Sequence, residues 1–194
     1  MRVFVVLAHP KTDSFNAAVC AALCTGLRAA GHEFDVADLY GEGFDPVLRG
    51  PELDTLGTNR PLADVAGYQE RLRKAQALAL VFPTWWFGTP AILKGFVERV
   101  LQEEFAFRFI SGGRVRGLLP QRKALVISTT GVRASWYRMF HFGRPLEQTL
   151  GEWTLKSCGI RRVRHVVFHD VVNCGDAARL RYLERAQQLG RRFF

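Results

Sequence analysis

No stretch of this chain approaches the roughly 18 consecutive apolar residues of a helical membrane span, so no integral membrane segment is expected. The amino-terminal run "VFVVLA" is too short and too weakly flanked for a secretory signal, which points to a cytoplasmic protein. Cysteine is scarce: Cys20, Cys24, Cys158 and Cys174 form no Cys-x-x-Cys pair and lack zinc-ligand spacing. They read as buried free thiols in a reducing compartment. The five histidines are scattered without an HExxH pattern, so no metal is expected. No GxGxxG follows the first apolar run, and there is no Walker pattern; nicotinamide-binding Rossmann and P-loop sites are thereby set aside.

Acidic residues are in the minority, 18 against 27 basic ones, for a net charge of +9. A positive surface attracts phosphate-bearing cofactors, anionic membranes or nucleic acid. The basic residues, mostly arginine, occur in small groups (Arg71, Arg73 and Lys74; Arg161, Arg162 and Arg164; Arg191 and Arg192) without a tail or a nucleic-acid motif. A solvated arginine-rich surface is the expectation, and no nucleic-acid partner.

What is present is a regular alternation. "RVFVVLA" (2–8), "ALALVF" (77–82) and "KALVIST" (123–129) are continuously apolar, as strands covered on both faces of a parallel sheet must be. "FDVADLY" (34–40) and "VRHVVFH" (163–169) alternate more and suit positions nearer the edges. Helical stretches lie between them at 15–30, 62–75, 90–102, 144–157 and 176–190. Gly31 is a suitable left-handed stop for the first, and Thr89-Pro90 reads as N-cap and first position of the third. Segment 104–121, with its Gly112-Gly113 turn, is a long surface excursion of the kind that often carries function. Five strands and five helices in one 194-residue domain predict a doubly wound five-stranded parallel α/β sheet; taken as flavodoxin-like, such a sheet has the order 2-1-3-4-5.

That order gathers the segments after strands 1, 3 and 4 at one edge, where such sheets bind ligands. They are "HPKTDSFN", "PTWWFGTP" and "TTGVRASWY". In the first, Asp13 or Ser14 caps a helix starting near Phe15, leaving backbone N–H groups and the positive dipole end for an anion; His9 and Asn16 add donors. The second supplies Trp85, Trp86 and Phe87, which either plug a core or offer a platform to a flat ligand. The third supplies the hydroxyls of Thr129 and Thr130, then Gly131, where a ring can approach the main chain. Phosphate donors, a stacking surface and a polar ring edge together describe a flavin nucleotide site.

On "AHPKTDSFN", "FPTWWFGTPAILKGFVERVLQEEFAF" and "ALVISTTG" the chain resembles the NAD(P)H:quinone oxidoreductases, DT-diaphorase-like flavoproteins. That family also takes in bacterial drug-activity modulators and ancillary reductases of potassium-efflux systems. The resemblance runs from residue 1 to about 145. It implies a homodimer with noncovalent FAD (FMN in some relatives) that passes two electrons from NAD(P)H to a quinone. On this likeness His9, Phe15 and Asn16 hold the phosphate side, Thr84, Trp85, Trp86 and Phe87 line the isoalloxazine, and Thr129, Thr130, Gly131 and Val132 lie opposite. Phe107, Arg108 and Phe109 match the segment bordering the substrate, and Tyr137 the tyrosine at the pyrimidine edge, where its hydroxyl stabilises charge on the reduced ring. The alternative implied is a flavin-binding regulatory subunit of a potassium-efflux transporter. Three departures stand out: Val132 replaces the common second glycine after "TTG", Trp85 fills a position often held by a smaller residue, and His141 follows Tyr137 by four residues instead of six.

Overall fold

The computed structural model describes residues 1–54, 57–58 and 62–194. In chain order it runs β1 (Arg2–Leu7), α1 (Phe15–Ala29), β2 (Glu33–Asp38), a single turn α2 (Gly50–Leu53), α3 (Ala66–Lys74), β3 (Ala77–Pro83) and α4 (Ala91–Val100). It continues with β4 (Phe107–Ile110), β5 (Arg114–Gly117), β6 (Lys123–Thr129), α5 (Ala134–Met139), α6 (Arg144–Leu146), a π-helix (Glu147–Leu155), β7 (Arg162–Phe168) and α7 (Gly175–Arg192). The main sheet has the order β2-β1-β3-β6-β7 with every pairing parallel. This is the 2-1-3-4-5 order expected from the sequence.

The continuously apolar strands are the central ones, as double coverage requires. Val3, Val5 and Leu7 pack under α1 and α7, while Phe4, Val6 and Ala8 pack under α3, α4 and the π-helix. Each large side chain fully withdrawn from water this way contributes roughly 1.5–3 kcal/mol. The α1–α7 seam is tighter still. A Cβ on Gly26 would meet the Gln187 carbonyl, and one on Gly190 the Leu23 carbonyl, so the two backbones touch where both residues are glycine. Gly31 (φ 72°) ends α1 as expected, with its N–H on the Arg28 carbonyl and that of His32 on the Leu27 carbonyl.

Several local expectations change. Pro90, not Thr89, is the N-cap of α4, which begins at Ala91 without a side-chain cap. Stretch 144–157 is helical but mostly π, with Thr154 Oγ1 donating to the Thr149 carbonyl five residues back at 2.7 Å. The 104–121 excursion holds the antiparallel β4–β5 hairpin, turning through Gly112 (φ 77°) and Gly113 (φ 70°). Cys20, Cys24 and Cys158 are buried free thiols; Cys174, ahead of α7, is only half-buried. No helix among the described residues is long and apolar enough to cross a membrane.

Candidate active site

At the carboxyl ends of β1, β3 and β6 the three unusual loops enclose a cleft of about 540 Å³. Among the expected residues His9, Ser14, Phe15, Asn16, Thr84, Trp85, Thr129, Thr130 and Gly131 line it. Ser14 is the cap of α1: its Oγ accepts the Ala17 N–H at 3.1 Å, which decides between the two cap candidates. The hydroxyl proton stays available to a ligand. His9 Nδ1 lies 3.1 Å from the Lys11 N–H and 3.3 Å from the Lys11 carbonyl, which fixes the ring against the loop backbone and, among the described residues, leaves Nε2 free of protein partners. Asn16 is buried and exchanges side-chain hydrogen bonds with Thr129 at 3.0 and 3.3 Å, tying the start of α1 to the end of β6. Thr130 Oγ1 accepts the Val132 N–H at 3.2 Å, and the Val132 carbonyl accepts from Asp170 N at 3.2 Å. Val132 therefore braces the loop just outside the cleft.

The aromatic segment forms a tight turn. Trp85 and Gly88 exchange both backbone hydrogen bonds, at 3.2 and 3.0 Å, across Trp86 (φ 49°) and Phe87 (φ 60°). Two successive left-handed residues make a type I′ turn, which normally takes Asn-Gly. The left-handed conformation costs a residue with a Cβ roughly 1–2 kcal/mol, and Trp86 recovers little of it by packing, since it is 97% exposed. The turn faces a second hollow of about 870 Å³ shared with Lys94, Pro145 and Thr149. From it a file of rings runs inward: Phe87 lies 4.4 Å from Phe142, and Phe142 6.4 Å from Tyr137.

Tyr137 is buried and packs edge-on against His169 at 4.8 Å. Burial, with Glu147 adding to it, raises the pKa of its hydroxyl; burial first, then the Arg138 charge, lowers that of His169. The Tyr137 hydroxyl and the Thr84 hydroxyl are both buried without a hydrogen-bond partner. Such orphans are uncommon and ask for a ligand or water. Thr84 lines the cleft; Tyr137 lines a separate hollow with Arg138 and His141 and reaches the aromatic turn through Phe142 and Phe87.

A profile of the flavodoxin-like fold family matches residues 1–190. An uncharacterized NAD(P)H oxidoreductase of Haemophilus influenzae is 31% identical over 189 residues, 97% of this chain and 93% of that one. The structure of an NAD(P)H:quinone oxidoreductase from Methanothermobacter marburgensis superposes with a TM-score of 0.91 at 29% identity, covering 100% of this chain and 96% of the other. The chain belongs to the NAD(P)H:quinone oxidoreductase family. The human ribosyldihydronicotinamide dehydrogenase [quinone] is 35% identical over 153 residues, which are 70% of this chain but only 66% of the human one.

In this quinone-oxidoreductase-family chain, one expected group stands apart. Phe107, Arg108 and Phe109 lie on the β4–β5 hairpin, which follows the carboxyl end of α4 and docks beside the turn entering β7 through Leu119 N–H on the Cys158 carbonyl. That is the amino end of the strands, away from the cleft. Phe107 is half-buried against the core, Arg108 pairs with Glu104 at 2.5 Å, and Phe109 is 57% exposed. Sequence reasoning also missed Val171 and Val172, which close the cleft from the β7–α7 loop. The signal was there: β7 ends at the same edge, and the loop leaving it must face the same ligand.

Proposed function

We propose that this protein is a flavin-dependent NAD(P)H:quinone oxidoreductase. The observation that carries the reading is the cleft where the three loops meet, lined by the α1 cap, Trp85 and the buried, unpartnered Thr84 hydroxyl. A second unpartnered hydroxyl, that of Tyr137, is linked to the strained aromatic turn through Phe142. Polar atoms are left dry and unsatisfied at a cost of about 1–3 kcal/mol each unless something fills the gap. A planar ring with polar edges answers both demands.

In this reading the start of α1 takes the phosphate. Ser14 and His9 donate there, Phe15 and Asn16 border it, and the helix dipole favours the negative charge. Thr84 and Trp85 line one side of the ring and Thr129, Thr130 and Gly131 the other; Trp86 and Phe87 face the neighbouring hollow, and Val132 braces the loop from outside the cleft. Bound there, the flavin supplies two-electron hydride chemistry between NAD(P)H and a quinone. Trp85 and Phe87 exclude water and offer one flat slot, which donor and acceptor occupy in turn. Tyr137 holds a hydroxyl toward the edge where negative charge develops. FAD is the proposed form, with FMN as the alternative.

The proposal includes a homodimer and, for its setting, the cytoplasm. Trp86, Phe140, Met139 and Trp136 are more than half exposed, and a second copy is the usual cover for so much apolar surface. A two-fold partner would also bring Phe107, Arg108 and Phe109 to the slot they do not reach within their own chain. The test is purification followed by release of the cofactor and initial-rate kinetics. A yellow protein yielding FAD by mass, with parallel double-reciprocal lines for NAD(P)H and quinone, is the expected result. Colourless protein that takes up neither flavin in a fluorescence titration would overturn the reading.

A further inference from the structure

At the opposite end of the sheet lies a groove of about 260 Å³ between the edge strand β7 and α7. Its chemistry differs from the rest of the surface. Arg162 and Arg164 stand two residues apart on β7 and so share a face; Val166 and Phe168 continue that face into the core under α1 and α7. Arg185, Gln188 and Arg192 of α7 recur at helical spacing on the opposing wall. The ring of Phe193 closes the floor, with the Arg162 guanidinium 5.1 Å from its centroid.

The seam that is apolar along its length therefore opens into a groove lined by four arginines. Elsewhere in the chain Arg49, Arg71, Arg99, Arg108 and Arg179 each hold a carboxylate. Among the described residues, none of Arg162, Arg164, Arg185 and Arg192 takes part in an ion pair. All four are solvent-exposed, so their repulsion is screened but not abolished; an anion among them relieves it, and the planar forks of arginine match phosphate oxygens two at a time. The register places Lys123 beside Arg162 and Thr129 beside Phe168. Six residues of strand, roughly 20 Å, thus separate this groove from the cleft.

We infer that this groove is a second ligand site, distinct from the flavin cleft, for a small free anion carrying two or more phosphoryl charges, such as a pyrophosphate or nucleoside diphosphate. The volume suits an anion of that size, and the Phe193 ring gives an apolar floor against which Arg162 is already oriented.

Isothermal titration calorimetry of the protein as purified, with inorganic pyrophosphate as the probe, tests this. Saturable binding that weakens with added salt is expected. Arg162→Ala/Arg192→Ala should weaken it by about tenfold or more, since two charge-assisted forks are lost. Arg181→Ala/Arg191→Ala removes the same charge from α7 outside the groove and should change it by less than about twofold at moderate salt. Arg162→Lys/Arg192→Lys keeps the charge and should fall between the two; if the alanine pair does not fold, the lysine pair carries the comparison. Flavin content and quinone reduction should be unchanged in all three. Equal losses in the two alanine pairs, or no saturable binding to wild type, would overturn the inference. So would groove-dependent binding to vesicles of anionic phospholipid without any binding of pyrophosphate, because the partner would then be a bilayer.

Discussion

The α1–α7 seam and the Trp85–Gly88 turn sit in one molecule and obey opposite rules. At the seam, glycines let two helices touch backbone to backbone, and no described polar side chain there is left unsatisfied. At the turn, two bulky residues occupy a conformation suited to glycine or asparagine, one of them almost wholly in water, and the Thr84 hydroxyl just before it is buried without a partner. The seam is where the chain gains stability. The turn spends some of it, and strain of that kind persists only where the surroundings impose it and function uses it.

Breaking the seam should have the largest effect. Gly190→Val puts side-chain atoms against the Leu23 carbonyl and the Leu27 amide, which cannot move aside without separating the helices. A loss of about 3 kcal/mol is expected for such overpacking, read by urea unfolding. A loss below about 1 kcal/mol would mean that the helices slide apart at little cost.

Acid should act nearly as strongly, and away from the cleft. His165 donates or accepts a 2.8 Å hydrogen bond with Ser128 Oγ through Nε2, and its side chain is only 8% exposed. Burial, then the nearby His169, push its pKa down to about 4 from 6.5. A histidine held neutral in the fold but free to protonate when unfolded stabilises fully above pH 6.5 and loses that stability as pH falls toward 4. The loss across this window is on the order of 3 kcal/mol. His165→Gln should flatten the pH dependence of the unfolding midpoint there. An unaltered slope would assign the acid sensitivity to other groups.

The smaller effects belong to the turn and its flanks, and there stability and activity should part. Tyr137→Phe removes an unpartnered hydroxyl, so folding stability should stay level or rise slightly. Flavin reduction by NAD(P)H in stopped flow should slow by roughly 10- to 100-fold, the worth of one hydrogen bond to developing charge. A wild-type reduction rate would confine Tyr137 to packing. Trp86→Gly relieves about 1–2 kcal/mol of left-handed strain and returns about 0.4–1 kcal/mol to unfolded-chain entropy. A net gain in stability of about 0.5–1 kcal/mol is expected, together with slower quinone reduction. If Trp86→Gly is less stable, the contrast drawn between seam and turn fails.

The sheet was legible because its cause is local. Continuous apolar runs as short as 77–82 and 123–129 suit strands covered on both faces better than helices, and that leaves few ways to wind the chain. The cleft came with it, since the strand order alone decides which loops meet. Other features depend on partners far away in sequence, and these the one-dimensional pattern hid. Nothing in "FAFRFI" marks it as half of a hairpin at the far end of the sheet from the residues it was grouped with. Stretch 144–157 has a helical apolar spacing, which does not distinguish the π winding of Glu147–Leu155 from an α-helix. Arg162, Arg164, Arg185 and Arg192 look in sequence like scattered solvent charges, and only the packing of α7 on the edge strand turns them toward one groove. What the amino-acid order determined by itself was which segments are buried and in what alternation, because burial is read from composition and period. Which side chains face each other across a cleft or a groove was decided by tertiary structure, because that depends on helix rotation and strand register, and neither is encoded in any one segment.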